Sequence, residues 1–166
     1  MAKKMNSLHD LFMDELMDAY DAEHQLIEAL PKMAKAAHAP ELRRGFEEHL
    51  TQTREQVKRI DQIFSNLGGK PNGKKCEGMQ GIIKDGEKLL KEENVDPNVK
   101  DAGLIVAAQK AEHYEIATYG TLRTYADQLG MPEEARLLNT TLEEESKTNE
   151  KLNSLAINHI NWEAQR

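Results

Sequence analysis

Four stretches of this 166-residue chain repeat apolar residues at alternating steps of three and four, the spacing that gathers them on one face of an α-helix. In the third stretch the seam runs Ile105, Ala108, Glu112, Glu115, Tyr119, Leu122, Ala126 and Leu129. It is apolar except for two carboxylates at its middle. The spacing requires this face to be buried, and glutamate is almost never fully buried unless it is paired or binds a metal. The fold must therefore pack helices against one another and give Glu112 and Glu115 partners inside.

The other three seams have similar interruptions. The first is Phe12, Leu16, Ala19, Glu23, Leu26, Leu30, Met33 and Ala37, opened by a variant capping box of Ser7 and Asp10. Pro31 within it should kink or end the helix. The second starts at Pro40-Glu41, follows Leu42, Phe46, His49, Thr53, Gln56, Ile60, Ile63 and Leu67, and stops at Gly68-Gly69. The fourth starts at Pro132 and follows Ala135, Leu138, Leu142, Glu145, Asn149, Leu152, Ala156 and His159.

Between the second and third seams lies a polar link and then a shorter amphipathic segment with Met79, Ile82, Ile83, Leu89 and Leu90. Its glycines Gly78, Gly81 and Gly86 each weaken a helix by roughly 1 kcal/mol unless they permit close approach to a neighbour. Asp96-Pro97 opens the third long helix. The predicted helices are about 7–37, 40–67, 76–92, 97–129 and 132–160, with a frayed tail in which Trp162 suggests docking. Short, long and short connections between the four long helices make the second and third parallel. The fold class is all-α: one domain, a ferritin-like four-helix bundle running up-down-down-up, with a short helix in the crossover.

A net charge of -7 without a basic stripe argues against nucleic acid or an anionic membrane surface as partner. The single cysteine, Cys76, permits no intrachain disulfide and no thiolate zinc cluster. Met1 to Asn6 lacks the apolar run of a signal peptide, and no stretch approaches the roughly 20 apolar residues of a membrane span, so a cytoplasmic location is expected. No phosphate-binding loop or Ser-His-Asp arrangement appears, and no organic cofactor is indicated.

Counting from the hairpin turns puts Glu23 roughly 24 Å along the first helix at about 1.5 Å per residue. Thr53, Gln56, Glu112, Glu115, Glu145 and Asn149 fall near the same level. His49 counts one to two turns away, at the edge of the layer. Inward glutamates from several helices can bridge two iron or manganese ions while apolar layers exclude water. Glu112 and Glu145 are then bridging candidates, Glu23 and Glu115 terminal ligands, and His49 a nitrogen ligand. Gln52, Gln56 and Asn149 are weaker candidates. Tyr119 and Tyr20 are candidate hydrogen-bond donors or redox-active neighbours. The alternative is a metal-free polar layer that fixes register. A glutamate with a histidine three residues later, the strict dinuclear motif, is absent.

Other polar residues read differently. Glu143 and Glu144 suit a solvated face, and His9, His24 and His38 a surface. His113 beside the carboxylates suits either an outer support for the ligands or an interface. His159 suits the core at the bundle end, and Cys76 and Met79 suit packing.

Several segments together are similar to a known family. They are Asp18-Ala19-Tyr20-Asp21-Ala22-Glu23-His24-Gln25-Leu26, Phe46-Glu47-Glu48-His49-Leu50, Ala107 to Ala117 with Tyr119-Gly120-Thr121-Leu122, and Leu142-Glu143-Glu144-Glu145 with Lys151-Leu152. The chain resembles the YciE/YciF-like family of bacterial ferritin-like stress-response proteins, nearer its YciF branch, over nearly the whole length. The resemblance implies a ferritin-like bundle, a homodimer and a link to stress responses, without an assigned reaction. The wider superfamily holds iron or manganese through glutamates and histidines, which Glu23, Glu112, Glu115, Glu145 and His49 match. Thr51 and Gln52 stand where YciF-like relatives tend to have acids. Thr148 stands where ferritin-like enzymes place a histidine, and Asn149 where relatives often have Asp.

Overall fold

The structure, a computed structural model, describes residues 5–166. Most of the N-terminal stretch expected to lack a signal peptide, Met1 to Asn6, lies outside the described residues. Four long helices carry the seams: α1 (Leu8–Ala36), α2 (Pro40–Asn66), α4 (Pro97–Gln128) and α5 (Pro132–Leu155). The crossover helix α3 spans Glu77–Lys91. After α5 the chain makes a π-helical turn, Ala156–Ile160, and a final turn α6, Asn161–Ala164.

The helix ends follow from their local chemistry. The Asp10 amide donates to the Ser7 hydroxyl, and its carboxylate accepts from the Asn6 amide. Asp96 accepts from the amides of Asn98 and Val99. Gly68 and Gly130 adopt φ of 66° and 71°, the left-handed conformation that closes a helix with little cost only for glycine. Pro31 lies within α1, which continues to Ala36; the proline does not end it.

Side-chain pairs establish the topology. Along the interface of α2 and α5, Gln52 meets Thr148, Gln56 meets Glu145 and Asn66 meets Glu134, so the numbers rise on one helix as they fall on the other. Between α1 and α4, Asp101 accepts from the amides of His38 and Ala39 at 2.8 and 2.7 Å, and Tyr119 donates to Glu23. Both neighbouring pairs are antiparallel, as is each hairpin, which makes the bundle up-down-down-up.

The glycines of α3 set how closely it lies on the bundle. A Cβ on Gly78 would stand 2.8 Å from the Tyr114 ring, and one on Gly86 would stand 3.2 Å from the Ala107 methyl. Gly81 faces open space. Asp21, buried on α1, accepts from the Cys76 amide at 2.8 Å and so anchors the start of α3. Cys76 and Met79 are core residues.

Two sequence expectations about the C-terminal end change. A π turn holds more residues than an α turn. The inward position after Ala156 is therefore Ile160, 3% exposed, and His159 faces solvent instead of the core. Trp162 does not dock; it is 63% exposed.

The apolar side chains form two separate clusters. One, near the α1–α2 turn, includes Leu26, Leu30, Leu42, Phe46, Leu104 and Ile160. The other, at the opposite end, includes Phe12, Leu16, Ile60, Phe64, Tyr119 and Leu138. The polar layer lies between them.

Candidate metal centre

Each long helix delivers a carboxylate or imidazole to this layer because the seam spacing leaves those positions no other direction. Glu23 comes from α1, His49 from α2, Glu112 and Glu115 from α4, and Glu145 from α5. All five are at most 3% exposed. His49, Glu112, Glu115 and Glu145 each offer a ligand atom within 4.8 Å of the others. His49 Nε2 stands 3.2 Å from Glu112 Oε1 and 3.9 Å from Glu145 Oε2.

His49 therefore belongs to the layer itself, where counting from the turns had put it at the edge. The α1–α2 turn and the α4–α5 turn lie at opposite ends of an up-down-down-up bundle, so distances from them are not a common scale. Asp101 supplies that scale by fixing the start of α4 to the α1–α2 turn. His49 lies ten residues beyond Ala39 and Glu112 eleven beyond Asp101, at one depth.

Glu23 lies deeper, held by the hydroxyl of Tyr119. Glu115 faces Glu23, as Glu112 faces Glu145. Gln56, fully buried, donates its amide to Glu145 and, at 3.1 Å, to Glu144. The other weaker candidates are more occupied. Gln52 accepts from Thr148 at 3.3 Å, and Asn149 accepts from Gln109 at 3.2 Å. The Thr53 hydroxyl donates to the backbone carbonyl of His49. Tyr20 stacks edge-on with His24 and Phe64 rather than entering the layer. His113 is exposed, as are His9, His24 and His38.

Glu144, expected on a solvated face, instead pairs with Arg59, a residue with no expected role. Glu144 is half-buried, and both terminal nitrogens of Arg59 donate to it at 2.7 Å. The signal was present: Arg59 follows Gln56 by one helical turn on the same face, and a half-buried arginine needs an acid. Glu143 alone is the solvated member of that acidic run.

The electrostatics are those of an uncompensated site. Burial, with the Glu145 carboxylate next in importance, pushes the carboxyls of Glu23, Glu112 and Glu115 well above the usual range. The Tyr119 hydrogen bond opposes this at Glu23. Burial, then the Glu23 carboxylate, raises the Tyr119 phenol. Among the described residues, no hydrogen-bond partner reaches Glu23 Oε2, Gln56 Oε1, Glu112 Oε2, either oxygen of Glu115, Glu145 Oε2 or either ring nitrogen of His49. An unpartnered buried polar atom costs about 1–3 kcal/mol. With one nitrogen of His49, the carboxylate oxygens form a ligand set that suits a hard or borderline divalent cation, and the buried group of His49, Glu112, Glu115 and Glu145 could hold one.

Relatives share this architecture. Protein YciF of Escherichia coli K12 is 47% identical over 165 residues, 97% of each chain. The crystal structure of the E. coli stress protein YciF superposes with a TM-score of 0.90 at 45% identity, covering 95% of this chain and 99% of that one. YcfI of Rhodopseudomonas palustris, provisionally described as a structural protein, gives 0.88 at 41%, with coverage of 93% and 98%. A ferritin-like diiron-carboxylate protein of Bacillus anthracis gives 0.69 at 18%, covering 91% and 99%, and shares the fold. The model of DUF892, a domain of unknown function, matches residues 7–165. With near-complete coverage by that model and close to half its residues shared with YciF, the chain belongs to the DUF892 family as a YciF-like protein with a ferritin-like fold.

Proposed function

We propose that this chain is a metal-binding stress protein whose mid-bundle layer holds iron or manganese. The observation that carries the reading is the buried cluster of ligand atoms from His49, Glu112, Glu115 and Glu145, most of whose carboxylate oxygens have no hydrogen-bond partner. Four carboxylates, from Glu23, Glu112, Glu115 and Glu145, also match the charge of two divalent cations, whereas no lysine or arginine among the described residues is hydrogen-bonded to any of them.

Glu145 has the central role, lying beside His49 and packed among the other carboxyls. With Glu112, Glu115 and His49 it would hold one ion, and with Glu23 and Glu115 a second. Iron or manganese bound there would supply redox chemistry toward dioxygen or peroxide. The protein's part is positional. Tyr119 holds one oxygen of Glu23, and Gln56 orients Glu145. Arg59 and Glu144 tie α2 to α5 beside the layer, and the apolar clusters on either side exclude water. Gln56 Oε1 has no partner and would be a neutral ligand if the amide turned toward the metal.

The competing reading is a metal-free polar layer. It is favoured by α2, where Thr53 and Gln52 already have partners and leave His49 as the sole strong ligand. Elemental analysis of protein from cells supplemented with iron and manganese separates the two. Stoichiometric metal, lost in Glu112→Ala and Glu145→Ala with helicity unchanged, supports the metal site. Substoichiometric metal that these replacements do not alter defeats it.

A further inference from the structure

Between α1, α3 and α4 lies a cavity of about 30 Å³ lined in part by His49 and Glu112. Its walls are aliphatic, with Leu26, Leu30, Ile83, Leu104 and Ala108 among them. The other polar residues that border it, Lys32 and Glu87, are ion-paired with each other at 3.4 Å. About 10–15 Å³ suffices for one water, and His49 and Glu112 would be its polar partners; wholly apolar cavities stay dry and take apolar guests such as xenon. A charged or strongly hydrogen-bonding molecule would lose its hydration on entering and find no replacement along the aliphatic walls.

We propose that this cavity binds a small, uncharged, apolar molecule of dioxygen size and presents it to the metal centre at its His49 and Glu112 corner. Two features carry the inference: the volume admits a guest of two or so heavy atoms, and the only polar groups beyond the Lys32–Glu87 pair are two candidate ligands. Peroxide, similar in size but rich in hydrogen-bonding groups, is disfavoured on this route. The presentation to metal rests on the function proposed above; the cavity's preference for apolar guests does not.

Xenon is the probe. In metal-free protein, xenon should shift the methyl resonances of Leu26, Leu30, Ile83 and Leu104 saturably. Ala29→Leu, which places two more carbons and a methine into the cavity wall, should abolish the shifts while leaving metal content unchanged. Ala111→Val is the second variant should the first fold poorly. In manganese-loaded protein, bound xenon should relax at least tenfold faster, because the guest then lies beside a paramagnetic ion. Absence of saturable shifts in the wild type overturns the proposal, as do shifts that persist in both filled variants. Shifts caused by a medium-chain alkane but not by xenon overturn the size assignment. If metal analysis fails while the xenon shifts appear, the function proposed above is defeated and the cavity assignment stands.

Discussion

Replacing Glu115 by Leu separates the two readings of the polar layer by the sign of its effect. Glu115 is 2% exposed, and neither of its oxygens has a donor. In metal-free protein, leucine of similar volume removes a desolvated carboxyl from among Glu23, Glu112 and Glu145. Replacing buried charged groups with apolar ones is neutral to stabilising by about 1–4 kcal/mol. At about 2–4 °C per kcal/mol for a domain of this size, the melting temperature should rise by several degrees.

The effect depends on pH with a definite sign. The folded-state pKa of Glu115 is raised above its unfolded value. Below about pH 4.3 the group is protonated in both states and costs nothing through titration. As the pH climbs from there toward the raised value, the unfolded chain ionises first and the wild type loses stability. The advantage of Glu115→Leu should therefore be smallest near pH 4 and grow toward neutrality. Metal reverses the order. Saturation at about a hundredfold excess over Kd adds about 2.7 kcal/mol to the wild type, and the leucine variant lacks the ligand needed to gain it. Thermal melts followed by circular dichroism, with chelator and with anaerobic Fe(II) or Mn(II), test both arms. Equal metal-induced shifts in the two proteins would refute the ligand assignment. A leucine variant clearly less stable than chelated wild type at pH 7 would refute the electrostatic reasoning.

Four further outcomes are expected. Tyr119→Phe should cost about 1–3 kcal/mol in urea denaturation of the metal-free protein, because Glu23 loses its one donor. Asp101→Ala should cost a similar amount by the same assay, leaving the buried amide of Ala39 unpaired and freeing the α1–α2 turn from α4. Gly81→Ala should stabilise the protein by up to about 1 kcal/mol through helix propensity. Gly78→Ala should destabilise it by about 1–3 kcal/mol through the clash with Tyr114; paired thermal melts showing the same sign for both glycines would contradict the packing of α3.

Much of the site was legible from single helices. Glu23, Glu112, Glu115 and Glu145 occupy seam positions, and a seam position in a bundle points inward whatever the neighbours are. His49 was placed only loosely, because its depth relative to α4 depends on which ends of the two hairpins meet and on the Asp101 tie across 62 residues of sequence. The pairing of Arg59 with Glu144 crosses 85 residues and joins two helices whose mutual register no local pattern reveals. His159 was misplaced because one π turn alters the count of residues per turn, and the seam beyond it shifts by one position.

Periodicity and punctuation were enough to define the helices, their polarity and the acidic residues that must go inside, since 3.6 residues per turn is a property of the backbone alone. Only the packed bundle decided which of those residues meet. Depth along neighbouring helices is set by long-range contacts, and so is the absence of partners around Glu115 and His49. The apolar cavity under α3 is likewise a product of assembly. It exists because α1, α3 and α4 fail to fill the space they enclose beside His49 and Glu112.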